Sequence, residues 1–491
     1  MKKKLIIALA ITIIVTFSVT GCTTGKGSNP AGEAVVSENI VSEDAVSENT
    51  VSEDAVPLPE SGNGEIEKEE NEEFLMQENE ESVSQETEEN TADAQIPVAM
   101  APSVYFVPWE EAGLEDHVMD WQDENLEAAM RKITGIADGD IMLSDVWEIT
   151  ELDIIELDLY SIRIYSIDAL GELVNMQKLN LSCGGSITDI SALSGLTNLK
   201  YLDLRANDIT DISALSGLTN LEYLDLRLNN ITDISVLSGL TNLRQLDLCA
   251  NEIVEIDSIS TLIQLQKLDL SYNTVNDITG LRCLTNLREL HLSSNPISDI
   301  SALQNFTNLQ ELVITYTEIS DVSALHNLTQ LRELILMSNQ IEDISALSEL
   351  TNLTKLRLSS NRQLTDISAL RNLNNLIELH LDRCNISDIS PLSGLTNLQE
   401  LYLNGNQISD VSPLSGLTNL RELWITYNQI SDIGVLSELL NLRELWISSN
   451  KVSDISALGE LEKLQILVID DNPISDYSPL DGLSLDYLSK D

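Results

Sequence analysis

Aromatic residues recur at one position of a repeated unit in this chain, and their spacing favours ligand binding. Tyr402, Trp424 and Trp446 lie 22 residues apart, and each follows the first leucine of a Leu-x-apolar pattern. This period-two alternation predicts a strand with apolar residues directed inward and the aromatic rings outward. The three rings should therefore lie side by side on neighbouring strands, with Tyr427 flanking them. Exposed tryptophan and tyrosine side chains commonly anchor binding partners.

Glutamates form a second row immediately before the leucines of the same strands. The row consists of Glu378, Glu400, Glu422 and Glu444. Like charges on adjacent strands repel each other, so a cationic partner that relieved this repulsion would gain affinity. The alternative for the aromatic row is cross-strand packing that stiffens the sheet without a ligand. We favour ligand binding over packing alone.

The outward position between the two inward residues changes character along the chain. It is acidic at the start, apolar at Val313 and Ile335, basic at Arg357 and His380, and aromatic at the end. Because the inward leucines are common to all repeats, specificity must lie in such variable positions. We predict that ligand contacts come from Tyr402, Trp424, Trp446, Tyr427, His380, Arg357, Glu400, Glu422 and Glu444.

Catalytic chemistry finds little support in the sequence. The chain has only four histidines, and two of them, His291 and His380, would lie about 19 Å apart on the predicted sheet, too far to share a metal or a proton. A phosphate-cradling glycine loop, a zinc-ligand spacing and a nucleophile elbow are all missing from the sequence. We expect a protein that is not an enzyme and that uses no cofactor.

The aromatic row belongs to a repeat that organises most of the chain. Leu196–Ile212 reads LTNLKYLDLRANDITDI and returns almost unchanged at Leu218–Ile234. Fifteen copies follow a period of 22 residues with two steps of 23, and their first leucines occupy positions 157, 179, 202, 224, 246, 268, 290, 312, 334, 356, 379, 401, 423, 445 and 467. A period in the twenties with Leu-x-x-Leu-x-Leu-x-x-Asn is typical of leucine-rich repeats.

This period predicts a solenoid with a parallel β-sheet on its concave face. Each coil of 22 residues leaves too little chain for a full α-helix after the strand and turn. The convex returns should therefore be short 3₁₀ or extended segments.

Two polar columns follow local needs of the backbone. Where the chain turns off the strand, a buried asparagine amide can satisfy both donors and acceptors. These asparagines are Asn207, Asn229, Asn251, Asn273, Asn295, Asn339, Asn361, Asn406, Asn428, Asn450 and Asn472. An acidic residue such as Asp211 or Asp233 precedes each return, where it can accept hydrogen bonds as an N-cap. Calcium bridging between coils is the alternative for the acidic column.

Composition limits the range of partners. The formal net charge is −53, from 27 Lys and Arg against 80 Asp and Glu. This acidity argues against nucleic acid, whose binding needs cations that displace phosphate counterions, and it electrostatically favours cationic partners. Cys183, Cys249, Cys283 and Cys384 lie in coils that are not neighbours, so we predict no disulfide between them.

The first 22 residues read MKKKLIIALAITIIVTFSVTGC, with a basic start and an apolar run too short for a comfortable membrane span. The segment Val19–Cys22 resembles the lipobox of bacterial lipoproteins. The resemblance implies that Cys22 is lipidated and becomes the mature N-terminus, with the protein on the outer face of a membrane in the bacterial cell envelope. The alternative is an ordinary cleaved signal peptide. We expect the membrane to be reached by this anchor only.

Two further regions precede the repeats. Residues 23–103 carry 21 acidic residues against two basic residues and include the tandem VSENI-VSEDA-VSENT-VSEDA, so we expect a disordered acidic spacer. Residues 104–154 should form a helical cap, with Asp123 capping a helix that ends near Gly135 and Ser144 capping a shorter turn. Repeats then occupy residues 155–491, ending in a partial coil.

The cap sequence WQDENLEAAMRKITGIADGDIMLSDVWEITELD and the repeat pattern LTNLxxLxLxxNxIxDIxxLxG resemble the internalin family. The resemblance implies surface display and recognition of a protein or peptide, possibly cationic, on the concave face. One alternative is a carbohydrate- or cell-wall-binding protein that uses the Tyr402, Trp424 and Trp446 platform. Another is a structural surface protein without a specific ligand. We expect a monomer.

Overall fold

The computed structural model describes residues 106–155, 157, 163–182 and 186–490. These residues begin with three short helices, α1 (Trp109–Ala112), α2 (Glu124–Thr134) and α3 (Leu143–Val146), which precede the repeats. The predicted helical cap and solenoid are therefore confirmed. In α2, the Asp123 carboxylate accepts hydrogen bonds from Asn125 N and Leu126 N, and Gly135 ends the helix with φ 73°.

A single parallel sheet runs through all the repeats in chain order. Each strand has three residues, and neighbouring strands pair in register, so that one repeat position forms one column across the sheet. The described residues form the strands β1 (Glu151–Asp153), β2 (Lys178–Asn180), β3 (Tyr201–Asp203), β4 (Tyr223–Asp225), β5 (Gln245–Asp247), β6 (Lys267–Asp269), β7 (Glu289–His291), β8 (Glu311–Val313), β9 (Glu333–Ile335), β10 (Lys355–Arg357), β11 (Glu378–His380), β12 (Glu400–Tyr402), β13 (Glu422–Trp424), β14 (Glu444–Trp446), β15 (Ile466–Val468) and β16 (Tyr487–Ser489).

The first strand lies five residues before its expected position. Leu152, not Leu157, pairs with Leu179 of β2, and Leu152 and Ile154 are the buried residues of this strand. The prediction at Leu157 was wrong because a Leu-x-Leu match was preferred to the Leu-x-Ile of the true strand. The core accepts leucine or isoleucine at the second position, as at Ile425, which is also fully buried.

Short 3₁₀ turns connect the strands, as the repeat length predicts. Their first residue is usually serine, and a leucine in each turn, such as Leu215 or Leu237, packs into the core. The described turns are Asp168–Glu172, Ser191–Gly195, Ser213–Gly217, Ser235–Gly239, Asp257–Thr261, Thr279–Cys283, Ser301–Asn305, Ser323–Leu325, Ser345–Leu347, Ser368–Asn372, Ser390–Gly394, Ser412–Leu414, Gly434–Glu438, Ser456–Glu460 and Ser478–Leu480.

The asparagine column forms a ladder of side-chain hydrogen bonds inside the coils. Asn251 donates from Nδ2 to Leu226 O at 3.0 Å and to Leu248 O at 3.1 Å, and its Oδ1 accepts from Ile231 N at 3.0 Å. Each such amide links its own coil to the preceding one. The same donor pattern occurs at Asn207, Asn229, Asn406, Asn428 and Asn450.

Each aspartate of the acidic column lies one residue before the N-cap of a 3₁₀ turn and forms an Asx turn with the backbone N–H two residues later. Asp211 Oδ1 accepts from Ser213 N at 2.8 Å, and Asp233 Oδ1 accepts from Ser235 N at 2.8 Å. The backbone hydrogen bond lowers the pKa of Asp233, whose carboxylate is otherwise exposed. The aspartates of this column therefore satisfy a backbone N–H at the start of the turns that follow them, as at Asp211 and Asp233. Across the described residues, no group of three or more His, Cys, Asp or Glu side chains is arranged to hold a metal ion.

The second cap turn differs from its prediction. Ser144 lies inside α3, so its assignment as the capping residue was wrong. Its backbone N–H and hydroxyl both donate to the Asp116 carboxylate, at 3.0 and 2.7 Å. The start of α3 is instead capped by Asp145, whose carboxylate accepts a hydrogen bond from Met142 N at 2.8 Å. The sequence offered two polar residues for this role, and an aspartate three positions into the turn can reach back to the exposed N–H.

Cys22 and the acidic spacer of residues 23–103 lie outside the described residues. No helix within the described part of the chain is both long and apolar enough to cross a membrane. Cys249, Cys283 and Cys384 are free thiols.

Candidate site on the outer face of the sheet

Four rings stack across β11 to β14 on the face of the sheet that points away from the core, which we call the sheet face. The ring centroids of His380 and Tyr402 are 4.0 Å apart, those of Tyr402 and Trp424 are 5.0 Å apart, and those of Trp424 and Trp446 are 4.6 Å apart. The strand register produces this ring stack, because each ring occupies the same position on the next strand. Cross-strand packing and ligand binding are thus compatible roles for the aromatic residues.

The outward direction of the ring stack follows from the strand alternation. Leu423 and Leu445 are fully buried between the rings and the glutamates of their own strands. Trp424 and Trp446 are half-buried, so part of each side chain reaches solvent, although the Nε1 atom of each indole is buried. Tyr427 flanks the stack with 67% of its surface exposed, and its φ of 56° places it in the left-handed region.

Arg357 and His380 are buried beneath the solvent-facing surface. Both contact Glu378, with Arg357 Nε 2.6 Å and His380 Nε2 2.9 Å from Glu378 Oε1. Burial lowers the pKa of His380, and the neighbouring Arg357 charge lowers it further. Burial alone would raise the pKa of Glu378, but the His380 hydrogen bond and the Arg357 charge outweigh it and lower the pKa to about 2. The expected basic segment is therefore an internally neutralised cluster.

The other glutamates of the row lie half-buried beside the aromatic rings. Glu422 accepts a hydrogen bond from the Tyr402 hydroxyl at 2.8 Å. Burial raises the pKa of Glu444, and the neighbouring Glu422 charge raises it further. Glu400 belongs to the same row on β12. The repulsion between Glu422 and Glu444 is present as the sequence predicts.

The opposite half of the sheet face carries an acid ladder that sequence reasoning described only as acidic. The acid ladder consists of Asp203, Asp225, Asp247 and Asp269. Two arginines lie between its members: Arg205 Nε is 3.4 Å from Asp203, and Arg227 contacts Asp225 and Asp247 at 3.3 and 3.5 Å.

Burial, together with neighbouring carboxylates, raises the pKa of Asp203 to about 6 and that of Asp247 to about 7. The sequence contained a sign of these ion pairs, because Arg205 follows Asp203 by two positions and Arg227 follows Asp225 by two positions.

The middle of the sheet face joins these two halves. Val313, Ile335 and Met337 form an apolar cluster that is separate from the core. Beside it, His291 contacts Asp269 at 3.5 Å and Glu311 at 2.9 Å. Burial opposes protonation of His291, but these two carboxylates outweigh it and raise its pKa to about 10. His291 is therefore an ion-pair partner within the sheet face.

The repeats match a known family model. The model for leucine-rich repeats in two copies matches nine segments that together span more than half of the chain. These are residues 181–217, 197–239, 219–264, 263–305, 307–349, 329–372, 351–394, 396–438 and 440–482. A search of curated proteins finds no match to this chain.

Solved structures with this fold include bacterial and plant proteins. An internalin from Listeria monocytogenes strain 4b F2365 is 33% identical with a TM-score of 0.56, and the match covers 74% of this chain and 94% of the internalin. A leucine-rich repeat protein from Leptospira interrogans is 24% identical with a TM-score of 0.62, over 70% of this chain and 97% of that protein.

A plant peptide hormone receptor, solved in complex with RGF2, is 22% identical with a TM-score of 0.56. That match covers 66% of this chain and 57% of the receptor. The Leptospira and plant structures share the fold at these identities, whereas the Listeria internalin also shares the sequence over most of both chains. The chain therefore belongs to the leucine-rich repeat proteins and, among them, to the internalin-like proteins of bacteria.

Proposed function

We propose that this chain is a lipid-anchored protein of the bacterial cell envelope that binds a protein or peptide through the sheet face around β12 to β14. The observation that carries the proposal is the partly exposed aromatic surface of Tyr402, Trp424 and Trp446, bordered by Tyr427 and by Glu422 and Glu444. Proteins of this fold are generally binding scaffolds without enzymatic activity. The plant peptide hormone receptor with the same fold was solved with RGF2 bound.

The geometry of the ring stack favours a protein partner over a sugar. Stacking on a sugar needs an open ring face, but Trp424 has an aromatic neighbour on each adjacent strand, the tilted Tyr402 ring at 5.0 Å and the stacked Trp446 ring at 4.6 Å. The exposed parts of the indoles and most of Tyr427 remain available, and such surfaces suit contacts with protein side chains. The adjacent carboxylates of Glu422 and Glu444 favour a partner with a lysine or arginine at this point.

The binding site is tested by crosslinking followed by affinity measurement. A photoreactive residue replacing Tyr427 in the fragment 105–491 captures the partner, which is then purified. Trp424→Ala combined with Trp446→Ala should weaken its binding by at least ~100-fold, because central aromatic anchors contribute several kcal/mol. The matched control is Tyr201→Ala with Tyr223→Ala, which removes another stacked pair with centroids 4.2 Å apart.

The control pair should bind the partner with unchanged affinity. Equal losses in the two double variants would assign the effect to the sheet as a whole and reject the site. Tight binding of a neutral glycan on an array, lost in the tryptophan variant, would favour the carbohydrate alternative instead.

Lipid anchoring is tested separately at Cys22. Wild-type protein should incorporate labelled fatty acid and remain with the membrane fraction, since two acyl chains hold a protein stably. Cys22→Ser should lose the label. Labelling that persisted in Cys22→Ser, or a wild type without label, would reject the anchor and leave the binding proposal intact.

A further inference from the structure

A second candidate binding surface lies on a different side of the coils, at the edge where the strands begin. A groove there is lined by Gln399, Asn419, Arg421, Asn441, Arg443 and Lys463. Three of the six side chains are cationic and none is acidic, in a chain whose net charge is −53. This edge groove is distinct from the sheet face, because its residues precede β12 to β15 rather than lying on them.

The arginines of the edge groove are unusual for their column. The residue just before each strand from β3 to β15 varies along the chain, in the order Lys200, Glu222, Arg244, Gln266, Arg288, Gln310, Arg332, Thr354, Ile377, Gln399, Arg421, Arg443 and Gln465. Among these positions, only Arg421 and Arg443 place two cations on consecutive coils. Arg244, by contrast, has a glutamate on the preceding coil and contacts it, with Nε 3.5 Å from Glu222 Oε2.

The guanidinium groups of Arg421 and Arg443 have no ion pair or hydrogen bond with any described residue. Lys463 joins them through Asn441, since its Nζ donates to Asn441 Oδ1 at 2.6 Å, and the ammonium keeps two further N–H donors. The groove therefore gathers three cations whose only side-chain partner among the described residues is a neutral amide. Bringing like charges together on adjacent coils costs free energy, which a bound anion would recover.

Backbone hydrogen bonds fix the spacing of the main-chain segments that carry these cations. Arg443 N donates to Arg421 O at 2.7 Å, and Arg421 N donates to Gln399 O at 2.8 Å. The flanking amides are held as well, because Asn419 Nδ2 and Asn441 Nδ2 donate to carbonyl groups of the preceding coils at 2.8 and 2.9 Å. The two arginines lie about one strand spacing, ~4.8 Å, apart along the backbone, close enough for both guanidinium groups to reach the oxygens of a single tetrahedral anion.

We infer that the edge groove of Arg421, Arg443 and Lys463 binds a tetrahedral oxyanion, a phosphate or sulfate group. Each arginine donates to separate oxygens, and the lysine adds a third charge-assisted hydrogen bond. The site is formed by residues other than those of the ring stack, so the inference does not depend on the proposed protein-binding surface.

The test uses the full-length protein and isothermal titration at low ionic strength. The probes are inorganic phosphate, inorganic sulfate and acetate, together with dextran sulfate and unmodified dextran. Phosphate or sulfate should bind saturably and acetate at least ~10-fold more weakly, because a carboxylate has fewer oxygens to share between the cations. Dextran sulfate binding far more tightly than inorganic sulfate would identify the source as an esterified polymer, and equal affinity would identify the free ion.

Arg421→Gln combined with Arg443→Gln should reduce oxyanion affinity at least ~10-fold. Glutamine already occupies this column at Gln399 and Gln465, so the fold should tolerate it, and the urea midpoint without anion should be unchanged or higher. The control, Arg288→Gln with Arg332→Gln, removes two arginines of the same column that are not on consecutive coils. Equal affinity in the two double variants, or no saturable binding of phosphate and sulfate, would overturn the inference.

Discussion

The acid ladder and the ring stack occupy the same repeat position in two halves of one sheet, yet they use it differently. In the acid ladder, the side chains of Asp203 and Asp225 are 1% exposed and their charges are met by Arg205 and Arg227. In the ring stack, Trp424 and Trp446 are half-buried and keep part of their surface in solvent. The acid ladder makes its ion pairs within the sheet face, whereas the ring stack leaves apolar and acidic surface for a partner.

This difference shows that an outward position is not automatically a binding position. A charged residue in a parallel column lies one strand spacing, ~4.8 Å, from its neighbours. It is therefore forced either to pair within the sheet or to pay a desolvation cost. Aromatic residues in the same column pack on each other and still expose their rims. The identity of the side chain, more than its direction, decides whether a partner can use it.

The largest expected effect tests whether the acid ladder is structural. Asp225→Ala leaves Arg205 and Arg227 without their shared carboxylate, which is 3.9 and 3.3 Å from them. Each arginine keeps one other carboxylate, Asp203 or Asp247, but the Arg227 backbone N–H loses its acceptor, Asp225 Oδ1 at 3.1 Å. We therefore expect a loss of about 2–3 kcal/mol in the free energy of unfolding, measured by urea denaturation. Glu422→Ala in the half-buried glutamate row should cost less than 1 kcal/mol.

The exposed Asp208 provides the control for this comparison, because Asp208→Ala should leave the urea midpoint unchanged. A larger loss in Glu422→Ala than in Asp225→Ala would reverse the distinction between the two halves.

The asparagine ladder should respond equally in both halves. Asn251→Ala and Asn428→Ala each remove hydrogen bonds to three carbonyl groups and one backbone N–H. Leaving these buried groups unsatisfied should cost ~1–3 kcal/mol at either site. Asn242→Ala, which removes one exposed hydrogen bond to Thr219 O at 2.8 Å, should cost clearly less. Unequal losses at Asn251 and Asn428 would mean that the two halves differ in their interior as well as on their surface.

Acidification should affect the two halves with opposite sign. The pKa of Asp247 is raised to about 7, above its unfolded value near 3.9, so its ionisation destabilises the fold as the pH rises. The wild type should therefore gain stability relative to Asp247→Asn between pH 8 and pH 5. The pKa of His380 is lowered, so the stability that it contributes is present above pH ~6.5 and falls below it.

Urea midpoints at three pH values for the wild type, Asp247→Asn and His380→Gln measure both differences. The wild-type advantage over His380→Gln should shrink as the pH falls from 7.5 to 5. Differences of the same sign in the two variants would contradict the assigned pKa directions.

Much of this architecture could be predicted from the sequence, and the reasons are local. A repeated inward leucine and a repeated asparagine fix strand, turn and register, because each coil satisfies the same backbone needs as the last. The exceptions arose where the pattern changes. Leu157 matched the motif better than Leu152, and Ser144 was one of two polar residues able to cap α3. Side-chain pairing across coils was harder, since the contacts of Arg357 and His380 with Glu378 depend on rotamers that spacing alone does not specify.

The smallest expected effect concerns the residue that turns the chain after each strand. Ala250 adopts φ 55° and Gly405 adopts φ 64° at equivalent positions in the two halves. A left-handed φ destabilises a residue with a Cβ by roughly 1–2 kcal/mol. Glycine avoids this strain, but part of its advantage is lost because glycine gives up more conformational entropy on folding.

Ala250→Gly should therefore stabilise by roughly 0.5–1 kcal/mol, and Gly405→Ala should destabilise by a similar amount. Both backbone N–H groups keep their hydrogen bonds to the next coil, at 2.9 Å in each case, so urea midpoints report backbone strain alone. A Cβ at Gly405 would lie 3.4 Å from Arg383 Cγ, a distance that a flexible side chain can accommodate. Shifts of the same sign in the two variants would show that packing against the neighbouring coil, not φ, governs this position.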